Sequence, residues 1–289
     1  MTDINLTLFL QVLINGISTG LLYVLIALGL TMVFGIMGII NFTHGEFYML
    51  GAYVMFHLTT RFNINFFLSL ALTMVILAPV GVLVERVFYR PLRRQPLSVL
   101  IVAIGLSLFL VSAGYLGFGI QDRAFVSPFR GLTRIHGAVI SHERLVTILI
   151  GIALVIGLYL FVRMTKMGKA MRAVEQDPDA ASLVGVSINR AYATCMAIGT
   201  ALAGVAGAVL GMLTVINPSM GGVALFKAFI IIILGGLGSI PGAIVGGIIL
   251  GIIESFATTL IAPEIASMVA FTLIIVLLIF KPEGLVSRG

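Results

Sequence analysis

The amino-acid sequence predicts an all-α, polytopic helical membrane protein, a single domain over residues 1–289 with about eight to nine transmembrane segments and one or two discontinuous helices. Three observations carry this prediction. Hydrophobic residues make up 60% of the chain, charged residues only 10%, and the mean hydropathy is +1.19. A domain with a polar surface does not reach those values. Apolar runs of roughly 20 residues, the length that crosses a bilayer as a helix, follow one another along the chain. The basic residues sit in the connections between runs, where membrane topology places them, so the net charge of +6 does not point to nucleic acid.

In order, the apolar segments cover residues 8–40, 47–60, 66–84, 97–118, 145–162, 191–216, 223–234, 243–261 and 265–280. The first follows a start, MTDINLTLFLQ, that carries Asp3 and no basic residue, and it is too long for a signal-peptide core. It is expected to stay on the mature protein. The connection with Arg86, Arg90, Arg93 and Arg94 and the connection with Arg163 to Arg172 are two spans apart, hence on one side. The positive-inside rule makes that side cytoplasmic. The intervening loop, 119–144, is then external; its Arg123, Arg130, Arg134 and Arg144 are spread out and interleaved with Asp122 and Glu143. Four further segments return Lys281 and Arg288 to the cytoplasm, and the charge pattern leaves the side of the N-terminus open. Small residues four apart (Gly16 and Gly20; Ala203, Gly207 and Gly211; Gly242 and Gly246; Gly247 and Gly251) let helices approach closely.

Two apolar runs are interrupted. Asn41, His44, Gly45 and Glu46 break the first, and Gly235, Gly236, Gly238, Ser239 and Pro241 break a late one. Short segments broken by glycine and polar residues in both halves of a chain point to a translocation pathway lined by discontinuous helices; the alternative is a pair of tight turns. Asn41, His44 and Glu46 then either line the pathway or cap half-helices, with Glu46 held by the positive end of the following helix. Of the other ionisable residues in apolar runs, Lys227 is expected to snorkel to the interface and Glu254 to pair inside the bundle.

Residues 163–190, RMTKMGKAMRAVEQDPDAASLVGVSINR, form the one long stretch that must face water. Arg163, Lys166, Lys169 and Arg172 recur every third residue and would make a basic stripe on a helix. Asp177 reads as an N-cap, Pro178 as the first helical residue, and Gly185 as the stop. A short helix specified this way at the aqueous end of a membrane bundle suggests a docking element; a connector lying on lipid headgroups is the blander reading. Catalytic chemistry has little to stand on. Gly168-Lys169 lacks the remainder of a phosphate loop, the histidines His44, His57, His136 and His142 are scattered, and neither a metal-binding spacing nor a nucleophile elbow occurs. Cys195 has no partner for a disulfide. No enzymatic activity, bound metal or cofactor is expected.

Four segments carry a resemblance: GLTMVFGIMGIINFTHGEFYMLGAY at 29–53, ERVFYRPLR at 85–93, MGKAMRAVEQDPDAASLVGV at 167–186 and LGGLGSIPGAIVGGIILGIIE at 234–254. Together, and in this order, they resemble the permeases of high-affinity branched-chain amino acid ABC importers, above all the H-type subunit. The resemblance implies a multi-pass protein of the bacterial cytoplasmic membrane, surrounded by lipid. It also implies a homologous second permease, two cytoplasmic ATP-binding subunits that use the ATP and Mg, and an external substrate-binding protein. It further implies that 163–190 is the coupling loop. Gly168, Ala170, Arg172, Glu175, Ala180, Ala181, Leu183 and Gly185 match the family's loop pattern; Lys169, Asp177 and Pro178 lie within it. Importers of urea and short amides resemble the same family and are the rival on substrate. A gradient-driven transporter or channel is the rival of another class.

Overall fold

The structure, a computed structural model, describes residues 2–135 and 137–280. His136, Lys281 and Arg288 therefore lie outside the described residues. The helices are α1 (Thr2–Met37), α2 (His44–Phe56), α3 (Phe66–Val84), α4 (Pro96–Phe118), α5 (His142–Met164), α6 (Lys166–Gln176), α7 (Pro178–Leu183), α8 (Ile188–Leu213), α9 (Met220–Gly235), α10 (Ile240–Leu260) and α11 (Pro263–Phe280). Each of the nine apolar segments has become one helix. Among the described residues, six helices are long and apolar enough to cross a membrane: α1, α3, α4, α5, α8 and α10. Of the other three apolar helices, α11 has 18 residues, and α2, which continues through a π turn at His57–Arg61, and α9 are shorter.

The all-α prediction holds, with one short addition outside the helices. In the loop between α4 and α5, β1 (Leu132–Ile135) pairs antiparallel with β2 (Ala138–Ser141). The strands are too short to announce themselves in the sequence. They form because Ala138 and Ile140 turn inward while the backbone N–H of Val139 donates to Gln11 Oε1 of α1 at 2.7 Å. Arg144 Nη1 also reaches Asn15 O, at 3.4 Å. These contacts put the N-terminal half of α1 beside the 119–144 loop, at the end opposite α6. With the charge assignment, that end is external.

α1 and α8 form the centre. Their most apolar windows are each 78% buried inside the chain, against 17–28% for α3, α4 and α5, which present their flanks to lipid. The small-residue spacing explains how the centre packs. Gly20 lies against Gly247 and Ile248, and Gly16 against Ile252, so that a Cβ at Gly20 would sit 3.0 Å from Gly247 O. On α8, Gly204 meets Gly51 and Gly207 meets the Tyr48 backbone. Without side chains in the way, backbones close to van der Waals contact, which drives association where no hydrophobic effect can.

The first interruption is a true break. The chain leaves α1 at Met37, turns at Gly38 (φ +66) and doubles back, so that the His44 ring reaches the carbonyl of Ile26 at 3.1 Å. Ile26 lies about 16 Å of helix before the end of α1, and α2 therefore begins part-way along its neighbour. Glu46 in turn meets Ser107, at the middle of α4. The second interruption is instead a tight turn. Gly236 (φ +100) and Gly238 (φ +78) reverse the chain between α9 and α10, Ser239 Oγ accepts from Gly242 N at 3.1 Å, and Gly235 packs on Gly242. The counterpart of the first break lies upstream, at 214–219. There the chain turns in from α8, and α9 begins with Gly221 against Gly45. Two half-helices thus start face to face inside the molecule.

Candidate functional site

Two regions hold the residues singled out by the sequence. The first, which the placement of arginine assigns to the cytoplasmic side, begins where α5 ends. Thr165 leaves the helical conformation (φ −84, ψ 155), its Oγ1 donates to Phe161 O at 2.7 Å, and it accepts from Gly168 N at 3.0 Å. The expected basic stripe is therefore split, with Arg163 in the last turn of α5 and Lys166, Lys169 and Arg172 on α6. Gly168 has no Cβ because the carbonyls of Phe161 and Val162 occupy its place, which lets α6 fold tightly over the end of α5. Gly168, Met171 and Val174 form the buried face of α6, whereas Lys169 and Arg172 are exposed and Ala170 and Glu175 half-buried. The Arg172 guanidinium reaches back to the Arg163 carbonyl at 3.5 Å.

Asp177 ends α6 and opens α7. Its Oδ1 accepts from Asp179 N at 2.9 Å and Ala180 N at 3.0 Å, with Pro178 at the start of the helix, as expected of a cap. Gly185, at φ +84, stops α7, and Val186 N donates to Ala181 O at 3.0 Å. Ala181 alone of α7 is buried; Leu183 is 88% exposed and Val184, its neighbour, 79%. Two large aliphatic side chains at the tip of a rigid polar hairpin, on the cytoplasmic side, form a surface that water does not favour. Val184 was not singled out in the sequence, since nothing local distinguishes it from a core valine.

The second region is the break. Asn41, Thr43, His44 and Glu46 are all buried. Asn41 Oδ1 accepts from Thr43 N at 3.1 Å and from Tyr89 Oη at 2.7 Å, and Thr43 Oγ1 lies 3.0 Å from Tyr89 Oη and donates to Ala103 O at 2.9 Å. Glu46 Oε1 accepts from Ser107 Oγ at 2.9 Å. The side-chain capping expected here does not occur. Thr43 occupies the N-cap, but its hydroxyl bonds to Ala103 and Tyr89 and not to an N–H of α2, and His44 bonds to α1. Glu46 does sit in the first turn of α2, where the helix dipole favours it. Asn41 Nδ2 and Glu46 Oε2 have no protein partner. Tyr89 and Ser107 went unnoticed because they come from distant parts of the chain, Tyr89 from a basic connection and Ser107 from an apolar run, where a lone hydroxyl carries no signal.

Gly235, Gly236, Gly238, Ser239 and Pro241 form the α9–α10 turn; the glycine that meets Gly45 is Gly221. Nor does Lys227 snorkel. Its Nζ lies 2.6 Å from Glu254 Oε1 and donates to Tyr23 Oη at 2.6 Å, while Tyr23 donates to Glu254 Oε2 at 2.7 Å. An acid one helix away outcompetes the interface because each charge satisfies the other. Glu254 pairs inside the bundle, as expected.

The family described as "Branched-chain amino acid transport system / permease component" matches residues 12–278, a range that includes both regions. The chain is 38% identical over 295 residues to the high-affinity branched-chain amino acid transport system permease protein BraD of Pseudomonas aeruginosa. It is 40% identical over 295 residues to the permease protein LivH of Escherichia coli K12; each alignment covers 97% of this chain and 96% of the relative. The permease protein LivM of Escherichia coli K12 is a more distant relative, 25% identical over 298 residues, with 92% of this chain and 68% of the relative covered. With a match that runs through six long apolar helices, both half-helices and the cytoplasmic hairpin, the chain is a multi-pass membrane protein that belongs to the permease family of branched-chain amino acid transport systems.

Proposed function

We propose that the chain is the permease subunit of an ATP-driven importer of branched-chain amino acids (leucine, isoleucine and valine) in the bacterial cytoplasmic membrane, and that α6–α7 docks on an ATP-binding subunit. The observation that carries the docking role is the exposed pair Leu183–Val184 on a hairpin fixed by Asp177, Pro178 and Gly185. A rigid element transmits a displacement that a floppy loop would absorb. Lys169 and Arg172, exposed on α6, supply positive charge beside that apolar tip.

The remaining parts are what the resemblance to this permease family implies. A homologous second permease completes the translocation unit, and an external binding protein delivers the solute. Two cytoplasmic subunits bind ATP and Mg, so this chain transmits work and catalyses no reaction. ATP binding draws those subunits together, the docked hairpins follow, and the permeases rock between states open to opposite sides. ATP sets the direction because the states differ in their affinity for the solute. The break is the natural place for the pathway to open. Asn41 and Glu46 offer polar atoms without protein partners where α2 meets α9, and Gly45 and Gly221 make that contact adjustable.

The test is uptake of labelled leucine and labelled urea into vesicles holding the chain with its neighbouring permease, ATP-binding subunits and binding protein. ATP-dependent leucine uptake that needs the binding protein is the expected result. Urea uptake alone would keep the architecture and change the substrate. Leucine uptake by the chain alone, indifferent to ATP, would sink the coupling role.

A further inference from the structure

On the cytoplasmic half of the outer surface, a pocket of about 540 Å³ is lined by Arg86, Arg90 and Arg190, with the hydroxyls of Ser187 and Thr194 beside them. Among the described residues, no carboxylate lines it. The nearby acid, Glu85, is buried and turned away, paired with Arg90 at 2.6 Å and with Arg93 at 3.8 Å. An apolar groove of about 450 Å³ runs between α3, α5 and α8, past Val75, Gly157, Leu158 and Leu202. Ala197 of α8 lines both, so the basic pocket and the apolar groove are neighbours on α8.

The geometry points to a binding site for an anionic phospholipid, with its phosphate between Arg86 and Arg190, beside the ion-paired Arg90, and one acyl chain in the groove between α3, α5 and α8. Three features fit this occupant. The arginines stand at the cytoplasmic ends of α3 and α8, at headgroup level, where basic pockets between spans attract anionic lipid. From Arg86 back to Val75 is about 16 Å of helix, close to the half-thickness of a hydrocarbon core of about 30 Å; the groove is one leaflet deep. Its walls belong to α3 and α5, whose apolar windows are only 28% and 22% buried inside the chain. The pocket also touches Met167, at the start of α6. A lipid seated there braces the root of the hairpin against α3 and α8.

Native mass spectrometry of the full-length chain, released from detergent after incubation with phosphatidylglycerol or phosphatidylcholine, tests the site. Phosphatidylglycerol is expected to be retained in preference to phosphatidylcholine. The double substitution Arg86→Ala/Arg190→Ala should weaken that retention roughly tenfold or more. Gly157→Leu should also weaken it, by filling the groove; a Cβ at Gly157 meets nothing within 4 Å, so this variant keeps the fold. Equal retention of the two lipids by the unaltered chain would overturn the proposal, as would retention of phosphatidylglycerol unchanged in either variant. Displacement of bound lipid when an ATP-binding subunit is added would assign the pocket to a protein partner and overturn it equally.

Discussion

The cytoplasmic hairpin and the break at 38–46 are both irregular, polar and bounded by glycine, yet they are held in opposite ways. The hairpin is secured by its own neighbours. Thr165 bonds three residues ahead to Gly168, Asp177 two and three ahead to Asp179 and Ala180, and Ser182 three back to Asp179. The break is secured from afar. His44 bonds to a residue 18 positions away, Asn41 to one 48 away, Thr43 to one 60 away, and Glu46 to one 61 away. An element in water can leave its backbone to the solvent and needs only local caps, whereas backbone unwound among apolar spans must find its partners in the surrounding protein. The turns of the hairpin are therefore fixed locally, while Met171, Val174 and Ala181 anchor it on the core; the polar groups of the break are held by the core itself.

That contrast predicts large stability losses for interior substitutions and small ones for the hairpin. The largest belongs to Lys227→Met, which strands Glu254 beside Tyr23; unfolding in detergent should show a loss of about 3–5 kcal/mol. Most of it should return in Lys227→Met/Glu254→Gln. A double variant as unstable as the single one would mean that the pair itself, and not the stranded charge, matters. Next comes Gly45→Ala, whose new Cβ would lie 2.9 Å from Leu225 Cβ and press on the Gly221 backbone. A loss of about 1–3 kcal/mol is expected, with transport failing first because α2 and α9 no longer meet. Tyr89→Phe removes one donor from Asn41 and one partner from Thr43, a loss of about 1–2 kcal/mol. An unchanged midpoint would show that water replaces the hydroxyl and that the break is wetter than the contacts suggest.

Smallest in stability, and largest in consequence for transport, is Asp177→Ala. Loss of the cap costs about 1 kcal/mol locally and should leave global unfolding unmoved, while uptake and stimulation of ATP hydrolysis fall together. If uptake is normal, the hairpin is a connector and the contrast collapses to one of position only. Arg172→Glu should weaken co-purification with an ATP-binding subunit most at low salt, where exposed charges are least screened.

The sequence by itself determined whatever rests on composition or on neighbours within a few residues. The nine apolar helices and their order follow from hydropathy. The cap at Asp177 and the stop at Gly185 follow from backbone chemistry that a few residues specify alone. Only the tertiary structure decided what depends on partners distant in the chain. It separated the true break at 38–43 from the tight turn at 236–239, although both read as glycine and polar residues in an apolar run, because the difference lies in whether the chain returns alongside a neighbouring helix or reverses at its end. It turned Lys227 from the interface toward Glu254, brought Tyr89 and Ser107 to Asn41, Thr43 and Glu46, and aligned the arginines of α3 and α8 over one groove. In each case the energy resides in pairs of groups that share a depth and a face without sharing a stretch of chain, and packing alone assigns such pairs.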